Sequence, residues 1–236
     1  MKRSHRDFCV LFNLLWYRNF PIDRRSLDIG KRATWNIHVT KTVGEVASIL
    51  GLYAAFESGG RTDCVMRNGM GLPMAYIEWE WSEPVERSRV EMPDGQSARN
   101  KREPNELEKL RDVVSARAAS AAEELPQCVY IGYVAAKGGG TGNLEAAERF
   151  LQKEWKGTVE PLTAILITYS RDRERRVFSQ LRTYVVAPGG ASIKLYSTRP
   201  ALPWEVPGTR WACEGADALP IQTRYQKKKA RKAAAD

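Results

Sequence analysis

An α/β fold, with a mixed central sheet flanked by helices, follows from three features of this 236-residue chain. Uninterrupted apolar runs, CVYIGYVA at 128–135 and LTAILITY at 162–169, read as buried strands. Segments with helical apolar spacing stand before and between them. In AYIEWEW, residues 75–81, the side chains alternate instead: Ala75, Ile77, Trp79 and Trp81 share one face, and Tyr76, Glu78 and Glu80 the other. A chain of this length can bury the core of one such domain.

Taken in order, residues 6–17 predict an amphipathic helix, with Phe8, Leu11, Leu14 and Leu15 recurring at helical spacing. Residues 21–40 read as irregular and basic, and 42–56 as a helix opened by the capping box Thr42-Val-Gly-Glu45. RTDCVMRN at 61–68 is a short strand, and Gly69, Gly71 and Pro73 supply a turn that folds it back on 75–81. A symmetric hairpin sets Asp63 opposite Glu78. Residues 82–104 form a long polar loop, and loops of that length in a compact domain are usually functional or disordered. A helix over 106–123 precedes the strand at 128–135. KGGGTGN at 137–143 lacks the lysine of a phosphate loop, so nucleotide binding is not expected, and Asn143 caps a helix running to about residue 155. Strands follow at 162–169 and 177–187, joined by the exposed turn SRDRERR. Trp204 and Trp211 pack an irregular C-terminal segment over the core, with base stacking the alternative. The expected divisions are an N-terminal segment at 1–40, an α/β core at 41–190, a Pro- and Trp-rich extension at 191–226 and a basic disordered tail at 227–236.

The chemistry centres on Asp63, Glu78 and Glu80. Like charges opposite each other on a sheet face lie only about 5 Å apart and destabilise it. A hard cation such as Mg²⁺, with Mn²⁺ as its substitute, would compensate, because it takes carboxylate, water and phosphate oxygens. An exposed face whose acids pair with surface Lys and Arg is the plainer alternative.

The formal net charge of +9 suits a polyanionic partner, and both ends of the chain are especially basic, although solubility alone explains the tail. Cys9, Cys64, Cys128 and Cys213 are too scattered for a zinc ribbon or finger. The only histidines, His5 and His38, leave little scope for a His-based metal site or a catalytic triad. The apolar run CVLFNLL lacks a cleavage site, and no stretch is long and apolar enough to span a bilayer. A soluble, intracellular, cytoplasmic protein without membrane association is therefore expected.

The order of these elements resembles the PD-(D/E)XK nuclease superfamily over residues 40–136, in a divergent D…ExE form. In that family a helix bearing an acid precedes a strand bearing Asp; a hairpin leads to a strand bearing (D/E)-x-K, and a helix crosses to a further strand. The match places Glu45 on the helix, Asp63 on the first strand and Glu78-Trp79-Glu80 on the second. Thr62 stands where the family usually has Pro, and Glu80 where it has Lys. Lys109, on the following helix, is the candidate for a migrated lysine, with a solvated helix face as its alternative.

The resemblance implies a restriction-endonuclease-like core and a Mg²⁺-dependent endonuclease, with DNA as the expected substrate. Asp63 and Glu78 would ligate the metal, Glu80 or Lys109 would orient or deprotonate the attacking water, and Glu45 would be an outer ligand. Arg87, Arg89, Arg99, Lys101 and Arg102 of the long loop could track the phosphate backbone, although solvation explains them too. A homodimer would suit an enzyme that cuts both strands. The competing implications are a catalytically inactive nuclease-like nucleic-acid binder, favoured by Glu80 in the lysine position, and an interaction module of a larger assembly.

Overall fold

The computed structural model describes residues 5–20, 32–58, 62–81, 105–119, 126–135, 142–172 and 175–207. Helices α1 (His5–Arg18) and α2 (Arg32–Ile49) precede strands β1 (Tyr53–Ser58), β2 (Thr62–Arg67) and β3 (Pro73–Glu80). Helix α3 (Glu106–Ala119) leads to β4 (Gln127–Ala135), and α4 (Gly142–Glu154) to β5 (Leu162–Asp172); β6 (Arg175–Val186) and β7 (Ile193–Pro200) follow. The strands form one seven-stranded sheet in sequence order. β3, β4 and β5 are parallel, and every other neighbouring pair is antiparallel. The fold is thus α/β with a mixed sheet flanked by helices.

Parallel neighbours need a crossover, which α3 and α4 provide. Both crossovers step the same way along the sheet, so two connections of the usual right hand leave their helices on one face. Leu107, Leu110 and Val114 of α3 and Leu144, Ala147 and Leu151 of α4 accordingly share a core with Val65, Tyr76, Tyr130 and Leu166. On the other face, Phe12 and Trp16 of α1 and Trp35, Val39 and Val43 of α2 pack against Met66, Ile77, Ile131 and Ile167. Because both faces are covered, β4 and β5 are apolar at successive positions, whereas a half-solvated strand would alternate.

Helix α2 departs from the sequence expectation at both ends. Residues 32–40 are helical rather than irregular, and Thr42 is buried in mid-helix, so it cannot form the expected capping box with Glu45. At the other end Gly51 adopts φ 67°. Its N–H bonds the Ser48 carbonyl at 3.0 Å, and Leu52 N–H bonds Ala47 at 2.8 Å. This is a Schellman cap, in which a left-handed glycine ends the helix and redirects the chain. Residues 53–58 therefore become β1 instead of continuing the helix to residue 56.

The sheet also extends past the expected core boundary at residue 190. β7 lies in the segment expected to be an irregular extension, and β5 and β6 pair through Arg171 and Arg176 into the stretch expected to be an open turn. Trp16 Nε1 donates to the Ala201 carbonyl at 2.9 Å and the Tyr17 hydroxyl to Pro200 at 2.7 Å, tying α1 to the end of β7. Among the described residues no helix is long and apolar enough to cross a membrane.

Candidate metal centre

The β2–β3 hairpin builds the first half of the site. Asn68 organises its turn, accepting at Oδ1 from Met70 N–H at 2.9 Å and Leu72 N–H at 3.0 Å, while Gly71 takes the positive φ of 77° that the reversal needs. The turn fixes the register Cys64 to Ile77 and Val65 to Tyr76. One step further, Asp63 stands opposite Glu78. At this end of the hairpin side chains replace ladder bonds: Trp79 N–H donates to Asp63 Oδ2 at 2.8 Å, and Asp63 N–H to Glu78 Oε2 at 3.3 Å.

Helix α3 supplies the other half. Asn105 is its cap: Asn105 Oδ1 accepts from Glu108 N–H at 2.8 Å, and Glu108 Oε2 accepts from Asn105 N–H at 2.8 Å. Leu107 and Leu110 are buried against the sheet, which sets the rotation of the first turn. Glu106 is thereby presented to the strand acids. One carboxylate oxygen from each of Asp63, Glu78 and Glu106 lies within 4.8 Å of the others. Lys109, one turn along α3, places Nζ 2.5 Å from Glu106 Oε2.

Electrostatically the cluster is out of balance. Glu78 is 0 % exposed, and its Oε1 has no hydrogen-bond partner. Burial first, then the Glu106 carboxyl and the charge of Asp63, push the Glu78 carboxyl up to about 10, against the opposing pull of Lys109. Asp63 is also raised, chiefly by burial. Burial alone would lower Lys109, but its bond to Glu106 and the charges of Glu106, Glu78 and Asp63 raise it. Three carboxyls this close together, one of them fully buried, cannot all ionise without a compensating charge. Without a cation the cluster therefore keeps a proton at Glu78.

A carboxyl whose folded pKa exceeds its unfolded value binds protons more tightly when folded, so its contribution to stability declines as pH rises between the two values. For Glu78 that window runs from its ordinary value of 4.5 to about 10. His38, held neutral in the first core because burial pushes it down to about 3, acts in the opposite sense only below its ordinary 6.5. Between about pH 7 and 9 the metal-free protein should accordingly melt at progressively lower temperature, and saturating Mg²⁺ should reverse the loss. Thermal melts across that range would expose the opposite case: a profile flat in pH and indifferent to Mg²⁺ would mean that Glu78 ionises without penalty.

Of the residues singled out in the sequence, the structure brings together Asp63, Glu78 and Lys109. Glu80, two residues on from Glu78, lies outside the three-carboxylate group, and its charge acts on the phenol of Tyr130. Glu45 is also outside it, its Oε2 accepting from Asn19 Nδ2 at 3.0 Å. Arg87, Arg89, Arg99, Lys101 and Arg102 fall outside the described residues. Glu106 is the residue that sequence reasoning passed over, although Lys109, one turn further along the same helix, was singled out. Its signal was the Asn105–Glu108 capping box, which fixes Glu106 in the first helical turn.

The chain matches no family model and no curated protein. The donors fit a hard divalent cation: all three are carboxyl groups, one of them fully buried with an unpartnered oxygen, and neither histidine nor cysteine is among them.

Proposed function

We propose that this protein is a metal-dependent nuclease that hydrolyses phosphodiester bonds of nucleic acid, with DNA as the expected substrate, on a restriction-endonuclease-like core. The observation that carries the proposal is Glu78, a fully buried carboxyl that has one unpartnered oxygen and sits in a cluster with the acids Asp63 and Glu106. Such a group is costly unless a cation meets it. The element order supports the core assignment: α2, the Asp63 strand β2, the Glu78 strand β3, α3 and β4 follow in sequence, with β1 added ahead of β2. Lys109 on α3 supplies the cation that a lysine at position 80 would have supplied.

Asp63, Glu78 and Glu106 would hold Mg²⁺ or Mn²⁺. When bound, the ion would supply Lewis-acid chemistry, polarising a phosphoryl oxygen and easing deprotonation of the attacking water. The chain's own groups do the remaining work. Lys109 keeps its proton, pins Glu106 and turns a positive charge towards an incoming phosphate. Glu80, less buried than Glu78 and on the same strand face, can accept the proton of the attacking water.

The net charge of +9 favours a polyanionic substrate. The long loop does not strengthen that argument by itself, because Arg87, Arg89, Arg99, Lys101 and Arg102 are matched by Glu83, Glu86, Glu91, Asp94 and Glu103. A second reading, a catalytically inactive nuclease-like nucleic-acid binder, draws on Glu80 in the lysine position. Incubation with plasmid DNA, single-stranded DNA and RNA, in Mg²⁺, Mn²⁺ or EDTA, separates the two. The nuclease reading expects cutting that needs the metal and is missing from Asp63→Ala purified in parallel. Binding without cutting in every condition would establish the second reading instead.

A further inference from the structure

The proposed site has three acids, whose charge Lys109, bonded to Glu106 at 2.5 Å, offsets only in part. A phosphodiester approaching Glu80 and Glu106 would meet like charge. A neutral donor stands on the neighbouring strand. β4 pairs in parallel with β3 so that Tyr130 adjoins Glu78 and Gly132 adjoins Glu80. The Tyr130 ring lies along its own strand over Gly132, where a β-carbon would come within 2.7 Å of Cε1 and 2.9 Å of the hydroxyl oxygen. Gly132 is not among the positive-φ glycines, so its backbone does not demand glycine. In a buried central strand, such a glycine marks a close approach, here that of the Tyr130 ring.

This posture carries the hydroxyl to the level of Glu80 on the face that Glu78 and Glu80 share. A phenol is protonated at neutral pH, so the oxygen can donate. We propose that Tyr130 is a catalytic residue whose hydroxyl donates a hydrogen bond to a non-bridging oxygen of the scissile phosphodiester. No bond to Tyr130 forms or breaks. The donated hydrogen bond offsets the repulsion between the phosphate and the flanking carboxylates, and it strengthens as charge builds on that oxygen in the transition state. The proposal rests on the nuclease reading above.

The test uses the full chain, wild type and Tyr130→Phe, with plasmid DNA at saturating Mn²⁺. Steady-state kcat and KM, Mn²⁺ affinity by calorimetry and melting temperature are recorded together. Loss of one oxyanion donor predicts a fall in kcat of about 10²-fold, with Mn²⁺ affinity and melting temperature unchanged. Gly132→Ala, which displaces the ring while leaving the hydroxyl, should also lower kcat, and should add no further loss on top of Tyr130→Phe. An unchanged kcat in Tyr130→Phe, a parallel loss of Mn²⁺ affinity, or fully additive effects of the two substitutions would overturn the assignment. A wild type that binds Mn²⁺ but cuts nothing would instead remove the nuclease reading, and this proposal with it.

Discussion

Replacing Glu78 with Gln should reduce metal-dependent cleavage by about 10³-fold or more while raising the melting temperature of the metal-free protein near pH 8. The first effect follows because a metal held at the reacting phosphate supplies several kcal/mol of transition-state stabilisation, and each ~1.4 kcal/mol is a factor of ten. The second follows from the buried carboxylate. Glu78 Oε1 is unpartnered, and one Glu78 oxygen lies within 4.8 Å of an oxygen of Asp63 and of Glu106. An amide keeps an acceptor for Asp63 N–H, offers donors to Glu106 and needs no proton, whereas near pH 8 the Glu78 carboxyl must take one up on folding. Activity assays and thermal melts on the same preparation check both halves. A variant that loses activity by unfolding would fail the second half.

Lys109→Met should separate catalysis from metal binding. Lys109 is bonded to Glu106 and feels the charges of Glu78 and Asp63. Removing its positive charge leaves the carboxylates more strongly cation-seeking, so Mn²⁺ should bind at least as tightly as in the wild type. Cleavage should nevertheless fall by about 10²-fold, the usual consequence of losing a positioned proton donor or charge. The metal-free protein should also become less stable above neutral pH, since the acids lose the lysine beside them. Equal losses of affinity and rate would make Lys109 merely a support for Glu106.

The legible parts of this molecule are those set by local pattern. Alternation in residues 75–81 put Glu78 and Glu80 on one face, and the glycine-rich turn set the register that brings Asp63 opposite Glu78. The runs at 128–135 and 162–169 read as buried strands because both sheet faces are covered. What escaped was decided by contacts distant in sequence, or by a signal given too little weight. Helix α2 carried its period in Trp35, Val39, Val43 and Val46 and its stop in Gly51, but a capping box at Thr42 offered a competing start. β7 is an edge strand, largely exposed, so its sequence lacks the apolar run of a central strand. Glu106 joins the cluster only because the crossover from β3 to β4 docks α3 over the hairpin. Spacing along the chain does not encode that meeting.

Calorimetric titration of the metal-free protein with Mn²⁺, repeated at pH 7 in buffers of different ionisation enthalpy, tests the central claim directly. If Asp63, Glu78 and Glu106 form a metal centre that otherwise retains a proton at Glu78, binding must displace that proton. The account predicts release of about one proton per ion bound, and loss of both binding and release in Glu78→Gln. Mn²⁺ that fails to bind, or binds with no proton release and undiminished affinity in Glu78→Gln, would contradict it.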